Sequence, residues 1–256
     1  ALALDRTILA EEAAEATLAA ERELTRSGLL SAVSHDVRTP LASIQGSATA
    51  LIEEGDRMPP EARRELLDTI REEAARLGRL VGDLLDLTRL ESEGPRVRKG
   101  WHPVEELVGA ALSRLDARLK GREVRVELPK EVLLVEADPL LVEQVLWNLV
   151  ENATKHTPPG TPIEVGAGQV DGGVAIVVAD RGPGIPPGEE QRIFEKFYRT
   201  ADGQRTPGAG LGLAICHAAA KAHGGWIRAE NRPEGGARFV FFLPSGAEPP
   251  APAAEG

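Results

Sequence analysis

Two runs of apolar residues at helical spacing, separated by a proline turn, constrain this 256-residue chain more than any other feature. From Leu29 to Leu51 apolar side chains fall at Leu30, Val33, Val37, Leu41, Ile44, Ala48 and Leu51, three or four apart throughout. That spacing predicts a helix with one buried stripe. Gly55 and Met58-Pro59-Pro60 interrupt it, since proline opens a helix but does not continue one. A second run, Leu67, Ile70, Ala74, Leu77, Val81, Leu84 and Thr88, repeats the pattern with the drift of a coiled-coil seam. One antiparallel hairpin covers each stripe on one side only, so the pattern predicts a homodimer in which two hairpins form a four-helix bundle.

Residues 1–28 are rich in Ala, Glu, Leu and Arg and carry no Gly or Pro before Gly28, which predicts a connecting helix. After Glu93-Gly94-Pro95 the composition shifts toward Gly, Pro and Val, and a domain boundary is expected there. The expected organisation is therefore a connecting helix over 1–28, a helical hairpin over 29–93, a second domain over 94–246 and a disordered Pro/Ala/Gly tail over 247–256. Within the second domain the pattern predicts helices near 104–119, 139–155, 189–197 and 210–222. Strands are predicted near 123–128, 132–136, 162–170, 173–179, 226–230 and 237–243. Helices collected against an antiparallel or mixed sheet make an α/β two-layer sandwich.

The 30 basic and 40 acidic residues leave a net charge of −10 with no basic patch, which argues against nucleic acid as a partner. No apolar run approaches the roughly 20 residues that span a bilayer. Cys216 is the only cysteine, so no intramolecular disulfide forms and a reducing cytoplasm suits the chain. Because the chain opens on Ala1 and its only methionine is Met58, we expect a piece or a processed form of a longer protein.

Chemistry-bearing residues recur along both domains. In Ser34-His35-Asp36-Val37-Arg38-Thr39-Pro40, His35 is two residues from Val33 and from Val37, about 200° round the helix from each, and points away from the stripe. Pro40 removes an N–H inside the helix and leaves the Asp36 carbonyl without its usual partner. A neutral imidazole is a nucleophile near pH 7, and the adjacent Asp36 is placed to orient it. Thr39, one turn on, can hydrogen-bond a water near a phosphate. Asn148, Asn152 and Lys155 share one helix face; two amide oxygens and a lysine suit a magnesium nucleotide, although a wet helix face explains them equally. Asp180-Arg181-Gly182-Pro183-Gly184 follows a strand, so its carboxylate can accept a hydrogen bond from an exocyclic amine, or the segment is a plain turn. Gly208-Ala209-Gly210-Leu211-Gly212 opens a helix whose free N–H groups can receive phosphate. Between them, Phe194 to Tyr198 supplies core aromatics, and Lys196, Arg199 and Arg205 can reach a triphosphate. Cys216 and His217 read as structural. His102, His156 and His223 lack convergent partners, with His156 beside the nucleotide face.

Taken together these segments resemble the transmitter region of sensor histidine kinases from Leu29 to Pro244. His35 matches the phosphoacceptor box, Asn148 to Lys155 the N box, Asp180 to Gly184 the first glycine box, Phe194 to Tyr198 the F box and Gly208 to Gly212 the second glycine box. The resemblance implies a dimerisation and phosphoacceptor domain followed by a Bergerat-type ATP-binding domain. It further implies ATP and Mg2+ as cofactors, with Asn152 on the metal and Asp180 on adenine. His35 would be phosphorylated, the phosphoryl group would pass to an aspartate of a response-regulator receiver domain, and Thr39 would align a hydrolytic water. Residues 1–6 and 231–237 look like the potassium-responsive branch of the family, which implies a sensor upstream in an inner-membrane protein. His156 stands where tyrosine is common, and Ala209 where threonine is common. Two other readings differ in one residue set each: an ATPase of the same nucleotide fold would lack the phosphoacceptor helix, and a silent dimeric scaffold would lack His35 or Asn152.

Overall fold

The computed structural model describes residues 34, 36–91, 97–119, 121–200 and 208–245. The expectations for 1–33, His35, Arg205 and the tail lie outside the described residues. The chain divides into two compact units, Ala1–Gly82 and Asp83–Gly256, at a point inside the second helix.

In the first unit, helix α1 (residues 36–54) runs through Pro40 and ends at a turn closed by Gly55 N–H to the Leu51 carbonyl at 3.1 Å and Met58 N–H to Glu54 at 3.1 Å. Helix α2 (Pro60–Glu91) follows, with Pro60 in its first turn as the sequence predicts. Pro40, Ser47 and Leu80 are buried. Leu41, Leu67 and Val81, all on the predicted stripes, are 43%, 53% and 46% exposed in the single chain.

The second unit is a helix layer on a sheet. Strand β1 (Gly100–Pro103) pairs antiparallel with β3 (Leu134–Ala137), and helix α3 (Val104–Leu119) leads between them to β2 (Val124–Glu127). Helix α4 (Pro139–His156), β4 (Ile163–Val170), β5 (Gly173–Ala179), α5 (Gly212–Ala222), β6 (Trp226–Asn231) and β7 (Ala237–Pro244) complete it. The sheet order is β2-β4-β5-β7-β6, with β2 parallel to β4 and the remaining pairs antiparallel. Strand alternation decides the layers: Val174, Ile176, Val178, Phe239, Phe241 and Leu243 are buried against the helices, and Ala175, Val177, Val240 and Phe242 face outward. The last turns of α2 join this unit, with Leu87 buried, Leu90 packed on the core and Asp86 accepting a 2.8 Å hydrogen bond from the Gln144 amide.

Three local expectations change. The two-layer sandwich stands, but β1 is an added strand, too short to announce itself by alternation. The helix expected over 189–197 is only a 3-10 turn, Arg192–Phe194, because Glu195 is extended and Phe197 takes φ 61° so that its N–H reaches the Gly210 carbonyl at 2.9 Å. The helix expected from Gly210 starts at Gly212, since Gly210 has φ 68°, a left-handed conformation that no helix interior holds.

Candidate active site

Helix α4 carries the polar face, and its ends explain where it sits. Asp138 caps the first turn, accepting from Leu140 N–H at 3.1 Å, and Pro139 takes the first helical position, where its missing N–H costs nothing. The buried stripe Val142, Val145, Leu146 and Leu149 fixes the helix on the sheet and turns Asn148 toward α5. Asn148, 9% exposed, donates from Nδ2 to the Gly212 carbonyl at 3.2 Å and so ties the N box to the second glycine box. Asn152, half-buried, lies one turn further along. Lys155 pairs with Glu151 at 2.9 Å, and its ammonium lies 3.9 Å from the point where a Cβ on Gly208 would sit. Leu211, buried, caps α5 by accepting from Ile215 N–H at 2.9 Å.

The first glycine box closes the other side. Asp180, 4% exposed, sits where β5 ends, and its Oδ1 accepts from Gly182 N–H at 2.8 Å and Ala237 N–H at 3.3 Å. Gly182 packs so closely on the end of α4 that a Cβ there would lie 2.7 Å from the His156 carbonyl. Gly184 lies against the Asn231 amide. Burial, with Lys155 and Arg199 adding repulsion against an opposing pull from Asp180, lowers the His156 imidazole from its ordinary 6.5. His156 is therefore neutral at pH 7 and offers a hydrogen-bonding edge without charge. Lys196, in the turn that follows the 3-10 turn, and Arg199, in the irregular segment after it, are both half-exposed. Phe194 of the 3-10 turn packs edge-on against Phe239 at 6.5 Å and against His217 at 6.1 Å.

The structure thus brings Asn148, Lys155, His156, Asp180, Gly182, Gly184, Gly208, Gly210, Leu211 and Gly212 to one end of the second unit. Asp36 and Thr39 belong to the first unit, on α1. Cys216 is fully buried, and desolvation pushes its thiol up to about 12, so it is a core residue without nucleophilic use.

Two supporting residues were not readable in the sequence. Arg122 closes the C-terminal end of α4: its guanidinium donates to the carbonyls of Thr161 at 3.0 Å, Pro158 at 3.1 Å, Thr157 at 3.3 Å and Thr154 at 3.5 Å, and to the Thr157 hydroxyl. A cation at a helix C-terminus also suits the macrodipole. His223, 1% exposed, does have convergent partners: Nε2 accepts from Asp138 N–H at 3.0 Å and Nδ1 donates to the Ala219 carbonyl at 2.8 Å. It joins the end of α5 to the start of α4, while Lys99 donates to its carbonyl at 2.9 Å. Apart from the Ala219 carbonyl, one turn before His223, these partners lie 32 to 124 residues apart in the chain, so no short motif announces them.

Two family models match the chain: the His Kinase A (phospho-acceptor) domain over residues 25–93, and the histidine kinase-, DNA gyrase B- and HSP90-like ATPase over residues 137–247. The sensor protein KdpD of Escherichia coli K12 is 42% identical over 248 residues, covering 96% of this chain and 27% of that protein. The chain thus spans about a quarter of the length of the curated relatives it matches first. Among solved structures, the mycobacterial sensor histidine kinase MprB is 31% identical over 57% of this chain and 97% of its own, with a TM-score of 0.51. The histidine kinase ThkA in complex with the response regulator TrrA is 27% identical over 88% of this chain and 63% of its own, with a TM-score of 0.70. The order of the boxes, the sandwich that carries them and these matches agree: the chain belongs to the sensor histidine kinases, and it holds their phosphoacceptor and ATP-binding regions.

Proposed function

We propose that this chain is the cytoplasmic kinase core of a sensor in a bacterial inner membrane, phosphorylating itself on His35 from ATP and passing the phosphoryl group to an aspartate of a response regulator. The observation that carries the reading is the joining of Asn148 to Gly212 and of His156 to Gly182, which sets the N box and both glycine boxes around one end of the sheet. Asp180 takes the adenine amine, with His156 alongside. The glycine backbone from Gly208 to Gly212 and the cations Lys155, Lys196 and Arg199 face the phosphates.

In the step itself an imidazole nitrogen of His35 forms a bond to the γ-phosphorus as the bond from that phosphorus to the bridging oxygen breaks and ADP leaves. Asp36 holds the proton on the other ring nitrogen and stabilises the imidazolium that develops. The half-buried Asn152 offers a neutral amide oxygen on the face it shares with Asn148, which fits Mg2+ bound mainly through phosphate and water. Bound there, the ion would offset charge on the phosphates.

The exposure of Leu41, Leu67 and Val81 supports a homodimer closed into a four-helix bundle. No helix among the described residues is long and apolar enough to cross a membrane. The chain matches only 27% of KdpD, which supports a membrane part and a sensor in further segments upstream. Likeness to KdpD over 96% of the chain supports a role in potassium homeostasis. ThkA is seen with its regulator TrrA, which supports a receiver domain as partner here.

Incubation with γ-labelled ATP and magnesium is expected to give a label stable to alkali and lost in acid; an acid-stable label excludes a phosphohistidine. Thr39, exposed on α1, serves the opposing hydrolysis by orienting the water that attacks the regulator's aspartyl phosphate and releases inorganic phosphate. Thr39→Ala is expected to keep the label and lose phosphate release from the regulator, and equal release by both proteins removes that role.

A further inference from the structure

The turn between β6 and β7, Asn231–Ala237, is the wall on which the loop Asp180–Ile185 is built. Asn231 spends both ends of its amide on one residue, Oδ1 accepting from Ile185 N–H at 2.6 Å and Nδ2 donating to the Ile185 carbonyl at 2.8 Å. Such a pair reproduces a rung of sheet where no strand runs. Beside it Arg232, 14% exposed, donates to the Asp180 carbonyl at 3.4 Å and pairs with Glu164 at 3.0 Å. Glu164 also takes Arg181 at 2.9 Å. Burial alone would raise this carboxyl, but the hydrogen bonds from Arg181 and Arg232 prevail and hold it below the usual carboxylate range, so it is ionised at neutral pH. Asp180 completes the wall with its N–H on the Ala237 carbonyl at 2.9 Å. Gly236, at φ 94°, lies so close that a Cβ would fall 2.1 Å from the Asp180 carbonyl.

We infer that Asn231 and Arg232 are positioning residues for nucleotide recognition, holding the Asp180–Ile185 backbone so that the Asp180 carboxylate meets the purine edge. The inference rests on the adenine role proposed for Asp180. It follows from where the contacts fall. Asn231 holds the far end of the loop through Ile185 and Arg232 the near end through the Asp180 carbonyl, and neither is among the residues assigned to the phosphates, which lie on Gly208–Gly212, Lys155, Lys196 and Arg199. The loss on substitution is therefore confined to the base.

The test is titration of the full chain and of Asn231→Ala and Arg232→Gln with ADP and with inorganic tripolyphosphate, accompanied by hydrogen exchange at the Ile185 amide. Loss of a partly buried hydrogen-bond pair predicts about fivefold weaker ADP binding, tripolyphosphate binding within about twofold of the parent, and faster exchange at Ile185 in Asn231→Ala. A merely structural role would weaken both ligands together, and that result overturns the inference, as does a folded Asn231→Ala that binds ADP like the parent. If Asn231→Ala does not fold, Arg232→Gln decides by the same ratio of ADP to tripolyphosphate affinity. Failure of the parent chain to bind ADP removes the adenine reading and this inference together, whereas parent binding with unaltered variants removes this inference alone.

Discussion

The two units of the chain solve the burial problem differently. The α/β unit closes on itself: Leu115, Ile176 and Phe241 are each fully buried, and β5 between β4 and β7 alternates apolar side chains into the helix layer without help from outside. The helical unit does not, leaving Leu67 53% exposed and Val81 46% exposed on stripes whose spacing is that of a seam. Large apolar side chains at seam positions contribute about 1.5–3 kcal/mol each when buried, so leaving several in water forgoes a large part of the stability of a small hairpin. A self-sufficient unit can carry the nucleotide as an independent body. A unit that needs a second copy would bring the proposed nucleophile, His35, into a dimer.

Four substitutions or conditions probe that contrast, beginning with the largest effect. His35→Gln is expected to abolish labelling from ATP and leave ADP affinity unchanged, because the proposed nucleophile and the proposed nucleotide site belong to different units; a fall in ADP affinity measured by calorimetry contradicts the separation. Leu67→Lys sharpens the comparison further. In a closed seam it buries an unpaired charge and dissociates the dimer, whereas on a lone hairpin it exchanges one exposed side chain for another. Sedimentation of the variant at micromolar concentration distinguishes the two, and an unchanged sedimentation coefficient defeats the bundle.

Arg122→Ala should lower the unfolding free energy of the second unit by about 2 kcal/mol, since a charged donor set serving four carbonyls is lost from the end of α4. Urea titration followed by the fluorescence of Trp101, Trp147 and Trp226, all in the second unit, measures it, and an unchanged unfolding free energy contradicts the assignment. The smallest effect is on pH. Burial lowers both His156 and His223 from their ordinary 6.5. The unfolded chain therefore takes up protons below about pH 6.5 while the folded one does not, so stability is full above that value and falls as pH drops toward the lowered folded values, by at most about 1.4 kcal/mol per histidine for each pH unit. Urea midpoints at pH 7.5 and 5.5 should differ in that direction, and a flat profile contradicts it.

Much of this was legible in the chain because it is local. The Pro139 start of α4, the run of β5 and the stripe of α2 are set by neighbours within a few residues, and the predicted bounds of α4 and β5 fall within one residue of those observed. The N box and the glycine boxes were readable as residue types in order. What the sequence withheld was how they are supported. His223 and Asp138 are 85 residues apart and Asn231 and Ile185 are 46 apart, and nothing in local spacing reports that one will hydrogen-bond the other. The 3-10 turn at Arg192–Phe194 was misread as a longer helix for the same reason, since the bond from Phe197 to Gly210 that ends it is tertiary.

The most direct test of the account is to find the phosphorylated residue. The intact chain, incubated with ATP and magnesium and digested at neutral to alkaline pH, should yield by mass spectrometry one phosphorylated peptide containing Ser34-His35-Asp36, with the added phosphoryl group on His35 and absent in His35→Gln. A phosphoryl group on any other residue, or one that persists in His35→Gln, contradicts the division of nucleophile and nucleotide between the two units.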